Sequence, residues 1–308
     1  MVTTYQTDSP TAPVVYMTRD ISPAGLMKAY EALGVKPKGK VAVKLSTGEG
    51  GNTHYLQPAL IKDLVQRLDG TIVECNTAYA GTRNESSKHW ETIKEHGFME
   101  IAPVDLQDEE GEIEIPIEGG KRLTSDTVGS HFPNYDYYVV LSHFKGHVMG
   151  GFGGALKNIS IGIASSHGKE RIHSGQDEAL PNAFEGDHDS FLEAMAEAAT
   201  GVFNALHGNM LFINVMNNLS VDCDCDGNPH APQMNDIGIL ASLDPVAVDQ
   251  ACVDQVYLSD DNNGPLIERM ESRHAIHTVE HAVEMGLGNR NYRLIDLDAR
   301  SASGIELA

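Results

Sequence analysis

One recurring order constrains this chain more than any other feature: a short apolar run, a polar glycine-bearing loop, then a helix-periodic segment. "KVAVKL" is followed by "STGEGGNTH", and Pro58 then opens a helix with an apolar side of Leu60, Ile61, Leu64, Val65 and Leu68, closed at Gly70. "TIVECN" repeats the pattern, with the loop "TAYAGTRNESS" and a helix through "KHWETIKEHG" that ends at Gly97. Strand, loop, helix, strand is the order of parallel strands joined by crossover helices.

Later segments fit the same class. "GEIEIPIEGG" alternates like an edge strand or hairpin, and "YDYYVVLSH" and "MLFINVM" read as buried strands. A helix burying Phe191, Met195, Val202, Phe203 and Leu206 follows the polar stretch 176–190. "DIGILASLDPVAVDQACVDQVY" reads as a strand, a turn at Asp244–Pro245 and a helix; "HAIHTVEHAVEMG" and "YRLIDL" add a last helix and strand. The expected fold is α/β with a mixed, mainly parallel sheet. It forms a single domain over 1–308, with room for lobes at 1–135 and 136–308 that would hold the site between them.

Composition narrows the function classes. Acidic residues outnumber basic ones 44 to 22, a net charge of −22, which argues against nucleic acid and against anionic lipid surfaces. The longest apolar runs are too short to span a bilayer, and the first residues lack a basic start and an apolar signal core. Four cysteines do not make a disulfide scaffold, and Cys223 and Cys225, two apart, suit thiolate chemistry better than a bridge. These readings predict a cytoplasmic protein that takes a small-molecule ligand.

Ligands in parallel sheets sit beyond the carboxyl ends of the strands. Directly past "YDYYVVLSH" lie His143, Lys145 and His147, then Gly150, Gly151, Gly153 and Gly154, then Lys157, with His173 further on. Glycines let backbone approach a ligand, histidine is both a metal ligand and an acid/base, and Lys157 offers a cation or a nucleophilic amine. Neither phosphate motif is present. Leu156 stands where a third glycine of G-x-G-x-x-G would fall, and Glu170 stands where a P-loop needs Ser or Thr. The bland alternative is a glycine turn with backbone-bonded histidines and a solvated lysine. The grouping after a buried strand favours a site.

Other clusters are candidates too. Lys44, Glu49, His54, Asn76, Tyr79 and Arg83 follow core strands and could line the same cleft, with Arg83 as an anion clamp. In "DCDCDG", Cys223 and Cys225 could hold a soft metal with His230, Cys75 or the loop histidines joining, or could be unligated thiols in an acidic turn. The same segment imitates the start of a calcium loop, but Gln233 stands at the twelfth position. Cys252 reads as packing. His274, His277 and His281 share a helix face and read as solvent-facing or supporting residues. No nucleophile elbow or kinase signature is found.

"VKLSTGEGGNTHYLQP", "NTAYAGTR…HWETIKEHGF", "LSHFKGHVMGGFGGALKNISIGIASSHGK", "CDCDG" and "DIGILASLDPVAVDQAC" resemble the family called domain of unknown function 362, over roughly residues 40–295. Many relatives carry a ferredoxin segment for two four-iron clusters. This chain has no C-x2-C-x2-C run, which puts an iron–sulfur cluster in doubt. Locally, "GFGGALKNISIGIAS" resembles the nickel-dependent lactate racemase family, where a histidine, a lysine ten residues on and a histidine sixteen further recur at the spacing of His147, Lys157 and His173. That resemblance implies that Lys157 anchors a nickel-pincer nucleotide, that His173 ligates metal and that His147 moves a proton. Leu156 replaces the arginine that precedes the lysine there.

The resulting expectation is a metal- or metal-cofactor-dependent enzyme doing redox or proton-transfer chemistry on a small organic molecule; the alternative is a non-catalytic metal or iron–sulfur carrier. The candidate residues are His143, His147 and Lys157 for catalysis. For cofactor binding they are Lys157, Gly151, Gly153, Gly154, Asn158, Lys145 and Arg83. For metal they are His173, Cys223 and Cys225.

Overall fold

A computed structural model describes residues 4–176 and 180–302. The first part runs β1 (Val14–Thr18), α1 (Pro23–Ala32), β2 (Val41–Lys44), α2 (Pro58–Arg67), β3 (Thr71–Glu74), α3 (Ser86–Glu95) and β4 (Val104–Leu106). The expected hairpin follows as β5 (Glu112–Pro116) and β6 (Ser125–Gly129), paired antiparallel in their own small sheet. Then come β7 (Tyr137–His143), the short pair β8 (Lys145–His147) and β9 (Gly151–Gly153), α4 (Ala155–Ile159), α5 (Ser166–Ser174) and α6 (His188–Ala205). The chain closes with β10 (Met210–Met216), β11 (Gly238–Ser242), α7 (Pro245–Leu258), α8 (Gly264–Ser272), α9 (Ile276–Glu284), β12 (Arg293–Asp296) and α10 (Leu297–Ala302).

Eight strands form one sheet in the order β12-β1-β11-β10-β7-β2-β3-β4. β2, β3, β4, β7 and β10 run parallel to their neighbours in that half, as do β1 and β12; β11 is antiparallel to both β1 and β10. The sheet is therefore mixed and mainly parallel, as the sequence order predicts.

Both faces are covered, which is why β7 and β10 read as unbroken apolar runs. Tyr138 and Val140 of β7 face one core with α4, α6 and α7, while Val139 and Leu141 face the other with α1 and α2. α1, not anticipated above, starts where Ser22 caps the Gly25 N–H and Pro23 takes the first helical position. α7 starts at the expected Asp244–Pro245 turn, with Asp244 accepting from Val246 N and Ala247 N. Among the described residues no helix is long and apolar enough to cross a membrane.

Candidate functional site

The loops after the parallel strands β2, β3, β7 and β10 meet at one cavity of about 600 Å³. Lys44 and Glu49 come from the first loop, Tyr79 and Arg83 from the second, His143, Lys145, His147 and Lys157 from the third, and Cys223 and Cys225 from the fourth. His173 and Lys169 of α5 complete the wall, with Phe184 beside them. His54 and Asn76 are not part of the lining: the His54 carbonyl accepts from Lys145 Nζ (3.0 Å), and Asn76 is bonded to Asp108, Ser86 and His89.

The Arg83 network in the wall formed by the β2 and β3 loops is saturated. Arg83 donates through Nε to Glu49 (3.2 Å) and through Nη1 to Glu74 (2.9 Å), and its Nη2 reaches Tyr79 OH (3.0 Å). Glu74 also accepts from Thr47 N (2.8 Å), and His89 lies 3.5 Å away. Burial pushes the Glu74 carboxyl up, but Arg83, His89 and Lys44 outweigh it and hold it well below the carboxylate range. Arg83 is thus no free anion clamp, because two carboxylates already occupy its fork.

The third loop is built differently at each position. β8 and β9 fold the glycine segment back on itself, with His147 opposite Gly151. Gly151 sits at φ +76, where a Cβ would lie 2.4 Å from Ala275 Cβ, so it packs against the body of the protein and does not line the cavity. Gly153 and Gly154 do line it, and a Cβ on Gly154 would collide with Asp249 at 2.3 Å. Asp249 is buried there and accepts from Ala155 N (2.7 Å) and Leu156 N (2.9 Å), fixing the start of α4. Asn158 spends its amide on Leu141 O (3.0 Å) and Ser142 Oγ (3.1 Å), tying α4 to β7.

His143 and Lys145, expected to act on a ligand, converge on Asp224 instead. His143 Nδ1 lies 2.9 Å from Asp224 Oδ2 and its Nε2 lies 2.7 Å from the Asn217 carbonyl, so both ring nitrogens are engaged by protein groups. Lys145 Nζ donates to Asp224 Oδ1 at 3.0 Å. Burial alone would raise the Asp224 carboxyl; the facing His143 and Lys145 hold it at about 2. The aspartate between the two cysteines therefore anchors their loop to the end of β7.

His147, Lys157 and His173 are left less encumbered. Lys157 Nζ has no hydrogen-bond or ion-pair partner among the described residues, and burial, with Arg83 and Lys44 nearby, lowers its amine to about 8. Lys44 is also lowered to about 8 by burial, and it donates only to the Leu45 carbonyl (2.6 Å). Burial pushes His147 well below its ordinary range, and Lys157 and His173 push the same way. Its Nδ1 accepts the Gly150 N–H at 2.8 Å, so in the neutral ring Nε2 carries the proton.

His173 has the opposite tautomer. Its Nδ1 donates to the Lys169 carbonyl at 2.7 Å, leaving a lone pair on Nε2, and burial lowers it to about 4. The ring is stacked on Phe191 at 4.8 Å. A backbone-oriented ring with a free Nε2 is the usual arrangement of a metal-ligating or proton-accepting histidine.

Cys223 and Cys225 are joined in a disulfide, against the expectation of free thiolates. Their Cα atoms lie 5.3 Å apart, within the normal range for a bridge, because the turn at Asp224 brings the two side chains together. Cys75 does not join them. Its thiol is buried, donates to the Ile163 carbonyl (3.2 Å) and is pushed up to about 12 by burial. Cys252 is packed inside α7, as expected. His281, read as solvent-facing or supporting, is buried against the fully buried Glu197 at 2.9 Å; Glu197 also accepts the backbone N–H groups of Lys121, Arg122 and Leu123.

Glu49 lines the cavity as the sequence suggests, whereas Glu74, Lys169 and Phe184 line it with no sequence signal that marks them. Lys169 lay in a segment tested only as a P-loop, and it now donates to the Ala164 carbonyl at the cavity wall.

Fold and site define an α/β protein with a ligand-sized cavity at the carboxyl edge of a mainly parallel sheet. The chain belongs to the family described as Domain of unknown function (DUF362), whose model matches residues 41–254. Nothing among the curated proteins matches it. Among solved structures it is similar to the lactate racemase apoprotein from Thermoanaerobacterium thermosaccharolyticum, at 17% identity and a TM-score of 0.41, covering 68% of this chain and 52% of that one. It is also similar to a protein from Thermotoga maritima, at 13% identity and a TM-score of 0.42, covering 85% of this chain and 58% of that one. The chain thus spans between half and three fifths of the length of either structure.

Proposed function

We propose that the cavity is the active site of a metal- or metal-cofactor-dependent cytoplasmic enzyme that carries out proton-transfer or redox chemistry on a small organic molecule. One observation carries the reading: Lys157 presents an amine with no partner, lowered to about 8, in the same cavity as two neutral histidines of opposite tautomer. His147 offers a proton at Nε2 and His173 offers a lone pair at Nε2. A donor and an acceptor on one ligand are the minimum for moving a proton from one face of a carbon to the other, the step of a racemase or epimerase. Lys157, Lys44 and Lys169 lack carboxylates of their own among the hydrogen-bonded contacts, which favours an anionic substrate or cofactor.

The residues fit a tethered nickel-pincer cofactor in two respects: an accessible, weakly basic lysine amine to attach it and a histidine Nε2 free to ligate the metal. Such a group would supply the electron-accepting centre. In that case His173 serves the metal in place of accepting a proton, and His147 is left as the proton-moving side chain of the pair. The half-buried placement of the cysteines in the cavity wall favours this reading over an open metal carrier.

Intact-mass and metal analysis of the protein purified from its native cells tests the proposal. The expected result is a bound metal, with any covalent adduct mapping to Lys157 and disappearing in Lys157→Ala. Protein that carries neither metal nor adduct, from cells grown with nickel, zinc and iron supplied, overturns the cofactor reading.

A further inference from the structure

The sulfurs of Cys223 and Cys225 and a ring nitrogen of His147 lie within 4.8 Å of one another. His147 comes from β8, and the cysteines come from a loop 76 residues further along the chain. The structure assigns to these three residues a redox-gated site for a sulfur-preferring divalent metal ion such as Zn²⁺: open for binding when the cysteines are a dithiol, and closed when they are a disulfide. This site does not depend on the catalytic reading above; of the histidines that the sequence offers as partners for the two cysteines, it selects His147 and not His173 or His230.

Three features support it. Two thiolates and one imidazole are a donor set preferred by Zn²⁺, and three protein ligands leave a fourth position, as in catalytic zinc sites. All three residues line the cavity shared with Lys157 and His173. The cysteine loop is also held in place independently of any metal. Asp224 is fixed by His143 and Lys145, its carbonyl accepts from Glu49 N (2.8 Å), and Asn52 Nδ2 donates to the Asp226 carbonyl (2.8 Å). Reduction therefore need not unmoor the loop. Finally, Cys225 N–H points at Cys223 Sγ (3.3 Å), a donor that favours the anionic sulfur once the bridge is opened.

The gate follows from electron counting. Opening the bridge takes two electrons and two protons, supplied by a thiol reductant that is itself oxidised to a disulfide. The ion then binds as the two cysteines release two protons. In reverse, a small-molecule disulfide accepts two electrons from the thiolates and, with two protons from solvent, leaves as two thiols; the sulfurs bond to each other, and the ion departs.

Binding also changes the glycine loop. His147 Nδ1 accepts the Gly150 N–H, and that bond is lost whichever ring nitrogen takes the ion. If Nδ1 binds, its lone pair is used; if Nε2 binds, Nδ1 carries the proton. Metal occupancy thus frees a backbone N–H within the loop that leads to Lys157.

The full-length chain can be tested with Co²⁺ as the probe. In protein reduced with a phosphine, one equivalent of Co²⁺ is expected to give a thiolate-to-cobalt absorption band that added Zn²⁺ abolishes. Treatment with oxidised glutathione should erase the band, release the ion and lower the free-thiol count by two. His147→Ala should weaken binding by at least about tenfold, since even the loss of a residue that only orients a ligand costs that much. Cys252→Ala should change nothing, and the Gly150 amide should exchange faster when metal is bound. The wild-type comparison between redox states needs no variant to fold. Equal Co²⁺ binding in both redox states, no sulfur-to-cobalt band in the reduced protein, or a thiol count unmoved by oxidant each overturns the proposal.

Discussion

The two walls of the cavity both carry titratable side chains and satisfy them in opposite ways. On the β2–β3 side, the buried Arg83 is bonded to both Glu49 and Glu74, so each of these three charges faces an opposite one. On the side of the glycine loop and α5, Lys157 has no partner among the described residues, and His147 and His173 each have one ring nitrogen committed to backbone. A saturated buried network holds a shape, because removing any member leaves an uncompensated charge. An unsaturated one is where a ligand gains by binding.

The largest effect should come from breaking the saturated wall. Arg83→Met leaves Glu49 and Glu74 buried without their cation and should cost about 3–5 kcal/mol of stability, measured by urea unfolding. A cost under about 1 kcal/mol would show that the network is not what holds this wall. Next comes the scaffold of the other wall: Gly151→Ala forces a side chain onto φ +76 and into Ala275, and should cost about 1–3 kcal/mol. Lys157→Met should sit at the other end, within about 1 kcal/mol of the parent or above it, because it removes a half-buried amine with no partner among the described residues. If it destabilises as much as Arg83→Met, the contrast between the walls is lost.

The pH dependence of stability sharpens the same contrast. Asp224 is lowered from 3.8 to about 2, so its contribution is complete above about pH 4 and is lost as pH falls through 2. Lys157 and Lys44 are lowered from 10.5 to about 8. Between those values the unfolded chain holds more protons than the folded one, so stability should rise with pH from about 8 to 10.5. Lys157→Met should flatten part of that alkaline rise and leave the acid limb unchanged.

Much of the scaffold was legible because period and punctuation encode it. The runs that became β7 and β10 are apolar at every position since both faces are covered, and Pro58, Gly97 and Asp244–Pro245 mark helix ends. The glycine loop could be located because it follows a buried strand. The direction of β11 could not be read, since a long loop from β10 permits either sense and periodicity is blind to it. The fates of Arg83 and His143 were hidden for a different reason. Each is decided by carboxylates brought close only by folding: Glu49, 34 positions from Arg83, and Asp224, 81 positions from His143. Asp224 itself read as part of a calcium-like run, because nothing local reveals that it turns away from its cysteine neighbours toward β7. The tautomers of His147 and His173 depend on single backbone contacts that no spacing specifies.

The account stands or falls on the unpartnered amine. Amine acylation of the folded protein over pH 6 to 11, quantified on the Lys157-containing peptide, tests it directly. The predicted result is a midpoint near 8 and, at pH 7, roughly a hundredfold or more free amine than an ordinary lysine offers. A midpoint above 10, shared with the surface lysines, would contradict it.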